Sequence, residues 1–178
     1  LVIVFNGEIY NYKDIREKLV QAGHQFRTNT DTEVLIHGYE EYGEKLLNML
    51  RGMFSFVIWD KNKKELFGAR DFFGIKPMYY ANMNGTLMFG SEIKSFLDHP
   101  KFTKELNTAA LENYLTFQYS PTYETFFKNV YKLRPGHYLK YKDGKIEITK
   151  YYELEFAVDD SKTLEEWEKG IREHLDDS

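Results

Sequence analysis

The chain has 178 residues, of which 42% are hydrophobic, 29% charged and 17% aromatic, and its 24 Lys+Arg against 28 Asp+Glu give a formal net charge of −4. This composition is typical of one globular domain, and it argues against disorder and against a nucleic-acid partner, which would normally require a basic surface. No apolar run approaches the ~20 residues that cross a bilayer, and the first residues lack the basic and apolar regions of a secretory signal, so we expect no membrane partner and no export.

In chain order, the first half predicts a strand followed by helices. Residues 1–5 form an apolar run typical of a buried strand, and it ends at Asn6-Gly7, a pair that favours a tight turn. Apolar residues at helical spacing predict a helix over 12–22, which Gly23 would end. A second helix begins at Thr30 or Asp31, and a shorter one contains residues 46–50.

The second half reads mainly as antiparallel strands. Alternating side chains predict strands over 53–59, 66–70, 78–82, 86–90, 137–142 and 145–151, with helices near 92–97 and 108–117. Asn84-Gly85 and Asp143-Gly144 are typical hairpin turns. Because short turns join antiparallel strands and no regular βαβ alternation occurs, we predict an α+β fold.

The last 26 residues differ in charge from the rest. Residues 153–178 contain ten acidic and three basic residues, so we place a boundary near Tyr152. Thr163 and Glu166 form a T-x-x-E capping box before a helical stripe of Leu164, Trp167 and further apolar residues. We expect this acidic helix to pack on something.

Cysteine is absent and the histidines are dispersed. The lack of cysteine excludes disulfides, thiolate metal sites and a cysteine nucleophile within these residues, and it fits a reducing compartment, here the cytoplasm. The closest two of the five histidines, His24 and His37, are 13 positions apart. The spacing offers no local zinc-binding pair, so we predict no metal site and no cofactor in this chain.

Two polar stretches are candidates for a ligand site. The run from Phe5 to Asn11 brings an amide, Asn6, and a carboxylate, Glu8, to the end of a buried strand. The Asn6 side chain and the Gly7 backbone N–H are suitable oxyanion donors, although on local evidence alone a plain turn is the favoured explanation of Asn-Gly. Asp31 could bind an ammonium group, although Thr30-x-x-Glu33 is also an ordinary capping box.

A third stretch, Arg70-Asp71 before Phe72-Phe73-Gly74, has a structural explanation. It is not a kinase D-F-G motif, because two phenylalanines intervene and no glycine-rich loop or H-R-D stretch precedes it. We interpret Arg70 and Asp71 as an ion pair or a pair that stabilises the turn.

The order of the motifs points to one family. N-G-E-I-Y-N-Y at 6–12, T-D-T-E-V at 30–34, L-R-G-M-F-S-F at 50–56, A-R-D-F-F-G-I-K-P-M-Y-Y at 69–80 and G-S-E-I-K-S at 90–95 together resemble the glutaminase domain of glutamine-hydrolysing asparagine synthetases. The resemblance spans about 150 residues and includes L-R-P-G-H-Y at 133–138, where Arg134 replaces a family proline. These domains are class II glutamine amidotransferases.

The resemblance implies a fold and a reaction. The fold is that of amino-terminal-nucleophile hydrolases, a four-layer αββα sandwich with two antiparallel sheets. In the family an amino-terminal cysteine attacks the glutamine carboxamide and releases ammonia. A separate ATP-dependent domain, which uses ATP and Mg²⁺, then converts aspartate to asparagine.

The resemblance also assigns residues and predicts what is missing. Asn6 and Gly7 would stabilise the oxyanion, while Glu8 and Asp31 would hold the α-amino group of glutamine. The nucleophile and its strand have no counterpart here, so we expect the first strands of the fold to be missing. Residues 1–152 would be a partial amidotransferase domain, and residues 153–178 a linker and the first helix of an absent synthetase domain.

We therefore expect this chain to be inactive alone and to work with the synthetase domain of a longer enzyme, the parent enzyme. Glutamine is the expected ligand, and homodimerisation through such domains is a further expectation.

Two other hypotheses about the function remain open. The parent enzyme could be another class II amidotransferase, making a phosphoribosylamine or a hexosamine phosphate, or the chain could be a noncatalytic binding or dimerisation module.

Overall fold

Two antiparallel sheets organise the computed structural model, which describes residues 1–177. Within those residues the strands are β1 (Val2–Ile9), β2 (Gly52–Asp60), β3 (Glu65–Arg70), β4 (Tyr79–Met83), β5 (Thr86–Gly90), β6 (Val130–Lys132), β7 (His137–Lys142) and β8 (Lys145–Lys150). The α-helices are α1 (Tyr12–Gln21), α2 (Asp31–Tyr42), α3 (Thr108–Phe117) and α4 (Leu164–Asp176), and 3₁₀ helices span Gly43–Met49 and Ile93–Phe96. The predicted α+β class is confirmed.

The sheets and their apolar faces define the layers. The larger sheet has the order β1-β2-β3-β7-β8, and the smaller one β5-β4-β6. Helices α1 and α2 cover one face of the larger sheet through a core of buried residues that includes Ile15, Leu19, Leu35, Phe54, Phe56 and Phe67. A second core fills the space between the sheets, formed by Val57, Leu66, Met78, Leu133 and Leu139.

The outer face of the smaller sheet has its own buried cluster. Ala81, Met88 and Val130 pack there with Phe96 from the second 3₁₀ helix. The order of layers is thus helices, sheet, sheet and a short outer helical layer, which confirms the expected αββα sandwich.

The first strand continues through Asn6-Gly7, so the predicted turn is wrong. Strand β1 pairs with β2 from Val2 opposite Trp59 to Ile9 opposite Gly52. This long register outweighs the local turn preference of Asn-Gly, because tertiary pairing overrides weak local propensity. Gly7 is needed for another reason: at its φ of +151°, an added Cβ would lie 2.1 Å from the carbonyl oxygen of Met53.

Other elements add detail to the sequence analysis. The short strand β6 lacks a clear alternating pattern and was not predicted, and the predicted helix near 92–97 is a 3₁₀ helix over Ile93–Phe96. Helix α4 has the predicted capping box between Thr163 and Glu166, but none of its residues is buried within the described chain. The expectation that this helix packs on a partner stays a prediction.

The β2–β3 hairpin gives a prediction about pH. Asp60 is buried, and its Oδ1 accepts hydrogen bonds from the backbone N–H groups of Lys63 at 3.0 Å and Asn62 at 2.9 Å. These amides, Lys63 first, lower the pKa of Asp60. A carboxylate whose pKa is lowered on folding stabilises the protein above its unfolded pKa of about 3.9 and loses that contribution as the pH falls further.

We therefore expect the free energy of unfolding to decline less steeply below about pH 4 in Asp60→Asn than in the natural sequence. Urea unfolding at several pH values measures this slope. Asp143→Asn, in the exposed β7–β8 turn, is the control, and an identical slope in the Asp60 variant would show that this carboxylate does not contribute.

Candidate functional site

Strand β1 carries three of the predicted site residues in sequence. Asn6 and Glu8 are exposed and lie on one face of the strand, because side chains alternate, while Ile9 is buried on the opposite face. Asn6, Gly7 and Glu8 thus lie on a strand instead of at a turn. Strand β1 is also the edge strand of its sheet.

The backbone N–H of Gly7 points toward the open edge of β1. Phe54, the residue opposite Gly7, uses both of its backbone groups on the other side: its N–H donates to Asp71 Oδ2 at 3.2 Å, and its carbonyl accepts from the Asp71 N–H at 2.8 Å. Opposite residues in an antiparallel pair exchange two hydrogen bonds or none. Gly7 therefore directs its N–H away from β2.

Asp31 lies at this same edge. The N–H of Ile9, two residues beyond Gly7, donates to Asp31 Oδ2 at 3.1 Å. Because N–H directions alternate along a strand, Gly7 and Ile9 point the same way and are about 7 Å apart. A carboxylate and an oxyanion donor are thus placed beside one strand edge.

Asn6 is held in place by a residue whose role was missed from the sequence. Asn6 Nδ2 donates to Ser91 Oγ at 3.0 Å. Both residues line a cavity of about 80 Å³ between β1, β2 and β5, together with Ser55, Met78, Phe89 and Gly90. An asparagine amide has two N–H donors, so the bond to Ser91 leaves one available. Ser91 lies in the G-S-E-I-K-S motif, which was the only signal for it.

The start of α2 fixes Asp31. Thr30 is the N-cap, and its side chain accepts from the Glu33 N–H at 3.3 Å. The predicted capping box is only half formed, because the Glu33 carboxylate binds the N–H groups of Arg27 at 2.8 Å and Thr28 at 2.6 Å instead of reaching back to Thr30. The Arg27 amide is the largest of the effects that lower the pKa of Glu33 to about 2. Since Thr30 caps the helix, Asp31 is free of that task.

Behind the site, Asp71 and Arg70 organise a loop. Asp71 is 1% exposed, and its two carboxylate oxygens accept from the N–H groups of Phe54, Phe73, Ile75 and Lys76. The Arg70 guanidinium donates to the carbonyl oxygens of Lys76, Leu133 and Gly74. Of the two interpretations of this pair, the structure supports stabilisation of the turn.

A cavity of about 820 Å³, larger than the Asn6 cavity, lies elsewhere. Its lining includes Tyr80, Tyr131, Lys132, Arg134 and Lys150, and it shares no residue with the Asn6 cavity. Volume alone therefore does not identify the site at β1.

None of the helices within residues 1–177 is both long enough and apolar enough to cross a bilayer.

Comparison with known proteins gives three findings. The family described as "Glutamine amidotransferase domain" matches residues 1–152. Asparagine synthetase [glutamine-hydrolyzing] 1 of Bacillus subtilis (strain 168) is 44% identical over 155 residues, which are 86% of this chain and 24% of that protein. Amidase chry2 of Gibberella zeae is 37% identical over 176 residues, 97% of this chain and 26% of that protein.

Among solved structures, the glutamine phosphoribosylpyrophosphate amidotransferase of B. subtilis, in complex with ADP and GMP, aligns with a TM-score of 0.60 at 20% identity. The alignment covers 84% of this chain and 29% of that one. At this identity the likeness concerns the fold alone. The chain spans about a quarter of the length of the curated relatives it matches.

Proposed function

The chain belongs to the family of glutamine amidotransferase domains, and on that premise we propose that it forms the glutamine-binding and oxyanion-stabilising part of a glutaminase domain. The parent enzyme in this proposal is a glutamine-hydrolysing asparagine synthetase. The supporting observation is the common edge of β1, toward which the Gly7 N–H points and at which the Asp31 carboxylate binds the Ile9 N–H. Asn6 and Glu8 flank this edge on the same strand.

The proposed chemistry divides the residues by charge. Asp31 and Glu8 bind the ammonium group of glutamine, since carboxylates pair with cations. A cysteine thiolate adds to the carboxamide carbon, and the electron pair of the C=O bond moves to oxygen. The Gly7 N–H and the Asn6 amide stabilise this oxyanion.

When the C=O bond re-forms, the C–N bond breaks and the nitrogen takes up a proton to leave as ammonia. Water then hydrolyses the thioester to glutamate and regenerates the thiol. Because the 178 residues contain no cysteine, the nucleophile comes from outside them in this proposal. The chain alone would bind glutamine without hydrolysing it.

The fate of the ammonia is the part of the proposal that depends on the relatives. In the parent enzyme, a synthetase domain would use ATP and Mg²⁺ to activate aspartate, and ammonia would complete asparagine. Homodimerisation is part of the same proposal. The 44% identity to an asparagine synthetase favours this acceptor over phosphoribosylpyrophosphate, since the structure of that amidotransferase is only 20% identical. An amidase of another kind is the alternative, supported by the fungal relative.

Replacing Asp31 by asparagine tests the ammonium site. Asparagine can still accept the hydrogen bond from Ile9, and Thr30 remains the helix cap, so the melting temperature should not change. Loss of the charge removes a hydrogen bond to an ammonium group, which contributes about 1.5–3 kcal/mol. We therefore expect the KM for glutamine in the parent enzyme to rise about 10–150-fold, while synthesis driven by added ammonia stays constant.

Asp14→Asn is the matched control, because Asp14 occupies the first turn of α1 as Asp31 occupies that of α2. It should leave the KM unchanged. If Asp31→Asn also leaves the KM for glutamine unchanged in a stable protein, Asp31 has no ligand role and the proposed site is wrong.

A further inference from the structure

We propose that His24, His37 and Glu40 form a binding site for a divalent transition-metal ion, with Zn²⁺ as the best match. The site lies where the loop after α1 meets α2. It is separate from the proposed glutamine site, and the inference does not depend on glutamine hydrolysis. The histidine spacing hid it, because α1 and α2 pack together and bring residues 13 positions apart into contact.

The three ligand atoms converge at distances that suit a tetrahedral ion. His24 Nδ1 lies 3.2 Å from His37 Nδ1, His37 Nδ1 lies 3.0 Å from Glu40 Oε2, and His24 Nδ1 lies 4.0 Å from the same oxygen. Zinc binds histidine nitrogen and carboxylate oxygen at about 2.0–2.2 Å, so neighbouring ligands in a tetrahedron are about 3.4 Å apart. The observed separations fall around this value.

Hydrogen bonding accounts for these contacts only if one N–H on His37 Nδ1 is shared between Glu40 and His24. A ring nitrogen carries a proton or offers a lone pair, but not both. His37 Nδ1 therefore cannot donate to Glu40 and also accept from His24. A cation at the centre would satisfy both nitrogen lone pairs and the carboxylate oxygen together.

The opposite nitrogen of each ring faces a second carboxylate. His24 Nε2 lies 3.1 Å from Glu41 Oε2, and His37 Nε2 lies 3.6 Å from Glu33 Oε1. Metal-binding histidines usually direct their other N–H to such an acceptor, which fixes the ring orientation and makes the ligand more basic. His24 thus has the hydrogen-bonded environment of a metal ligand, while the Glu33 carboxylate faces His37 beyond hydrogen-bond distance.

Exposure and donor type narrow the choice of ion. The side chains of His24 and His37 are 17% and 19% exposed, while Glu40 is 44% exposed, so the site is open to solvent on one side. Two imidazoles and one carboxylate suit Zn²⁺ and its transition-metal neighbours, whereas Mg²⁺ and Ca²⁺ prefer oxygen ligands only. Three protein ligands leave a fourth position for water.

Binding of the metal ion would connect the loop between α1 and α2 to helix α2. Glu33, which faces His37, also accepts the N–H groups of Arg27 and Thr28 in this loop. An ion held by His24 and His37 would therefore fix the segment between α1 and α2. We expect Zn²⁺ to raise the melting temperature of the chain.

Competition against a chromophoric chelator tests the proposal with the 178-residue chain. We expect one Zn²⁺ per chain, no competition by Mg²⁺, and a visible absorption band typical of tetrahedral Co²⁺ when Co²⁺ replaces Zn²⁺. Loss of an orienting carboxylate weakens metal binding by about 10–100-fold, so the Zn²⁺ dissociation constant of Glu41→Gln should rise by that factor. The dissociation constants of the ligand variants His37→Gln and Glu40→Gln should rise by more.

Two controls separate ligand loss from damage to the fold. His174→Gln on α4 and Glu17→Gln on α1 remove the same groups outside the site and should bind Zn²⁺ like the natural sequence. Glu40→Gln changes a half-exposed side chain, so its circular dichroism without metal should be unaltered. Absence of stoichiometric Zn²⁺ binding, or equal affinity in the folded Glu40→Gln and natural chains, would overturn the proposal.

Discussion

Replacing Asn6 by alanine should reduce glutamine-dependent turnover of the parent enzyme by about 10²–10³-fold, the usual effect of losing one oxyanion donor. The physical reason is that the Asn6 amide would stabilise negative charge that develops only in the transition state. We therefore expect kcat to fall much more than the KM for glutamine changes. Steady-state kinetics with glutamine, and in parallel with ammonia, measure both effects.

Ammonia-dependent synthesis bypasses the glutaminase and should persist in Asn6→Ala. Asn84→Ala, in the exposed turn between β4 and β5, is the matched control and should leave both activities intact. An equal loss with glutamine and with ammonia would instead assign Asn6 to the fold or to the synthetase reaction.

Replacing Asp71 by alanine should destabilise the domain by more than about 1 kcal/mol. The variant leaves four backbone N–H groups without their acceptor, of which the bond from Phe54 is buried and the other three are partly buried. A fully buried group without a partner costs about 1–3 kcal/mol, and a partly buried one costs less because it can bind water. Domains are stable by only about 5–15 kcal/mol, so the melting temperature should fall measurably. Thermal and urea unfolding followed by circular dichroism measure this loss.

Asp98→Ala removes an exposed carboxylate and should change stability by less than about 0.5 kcal/mol. A loss below about 1 kcal/mol in Asp71→Ala would contradict the assigned role. In that case the loop between β3 and β4 must hold its conformation through Arg70 alone.

The architecture was largely predictable, because most elements are specified by local patterns. Alternating apolar residues predicted β2 and its hairpin with β3, and helical spacing with Gly23 predicted α1 within one residue of its observed limits. Strand β6 could not be predicted, since three residues carry too little periodicity and pair only because β4 lies beside them.

The site was predictable in its residues but not in its geometry. Motif order identified Asn6, Gly7, Glu8 and Asp31 as candidates, whereas the local preference of Asn-Gly pointed to a turn. Only the register with β2 decided that Gly7 continues the strand and directs its N–H to the edge where Asp31 lies.

Local periodicity and ordered motifs were enough to assign the family, the fold class and the candidate residues. Pairs between distant residues were set only by the packed fold: Asn6 with Ser91, Asp71 with the N–H of Phe54, and His24 with His37. The physical reason is that hydrogen bonds and metal ligation act over about 3 Å in space, and residues far apart in sequence reach this distance only after the sheets and helices have packed.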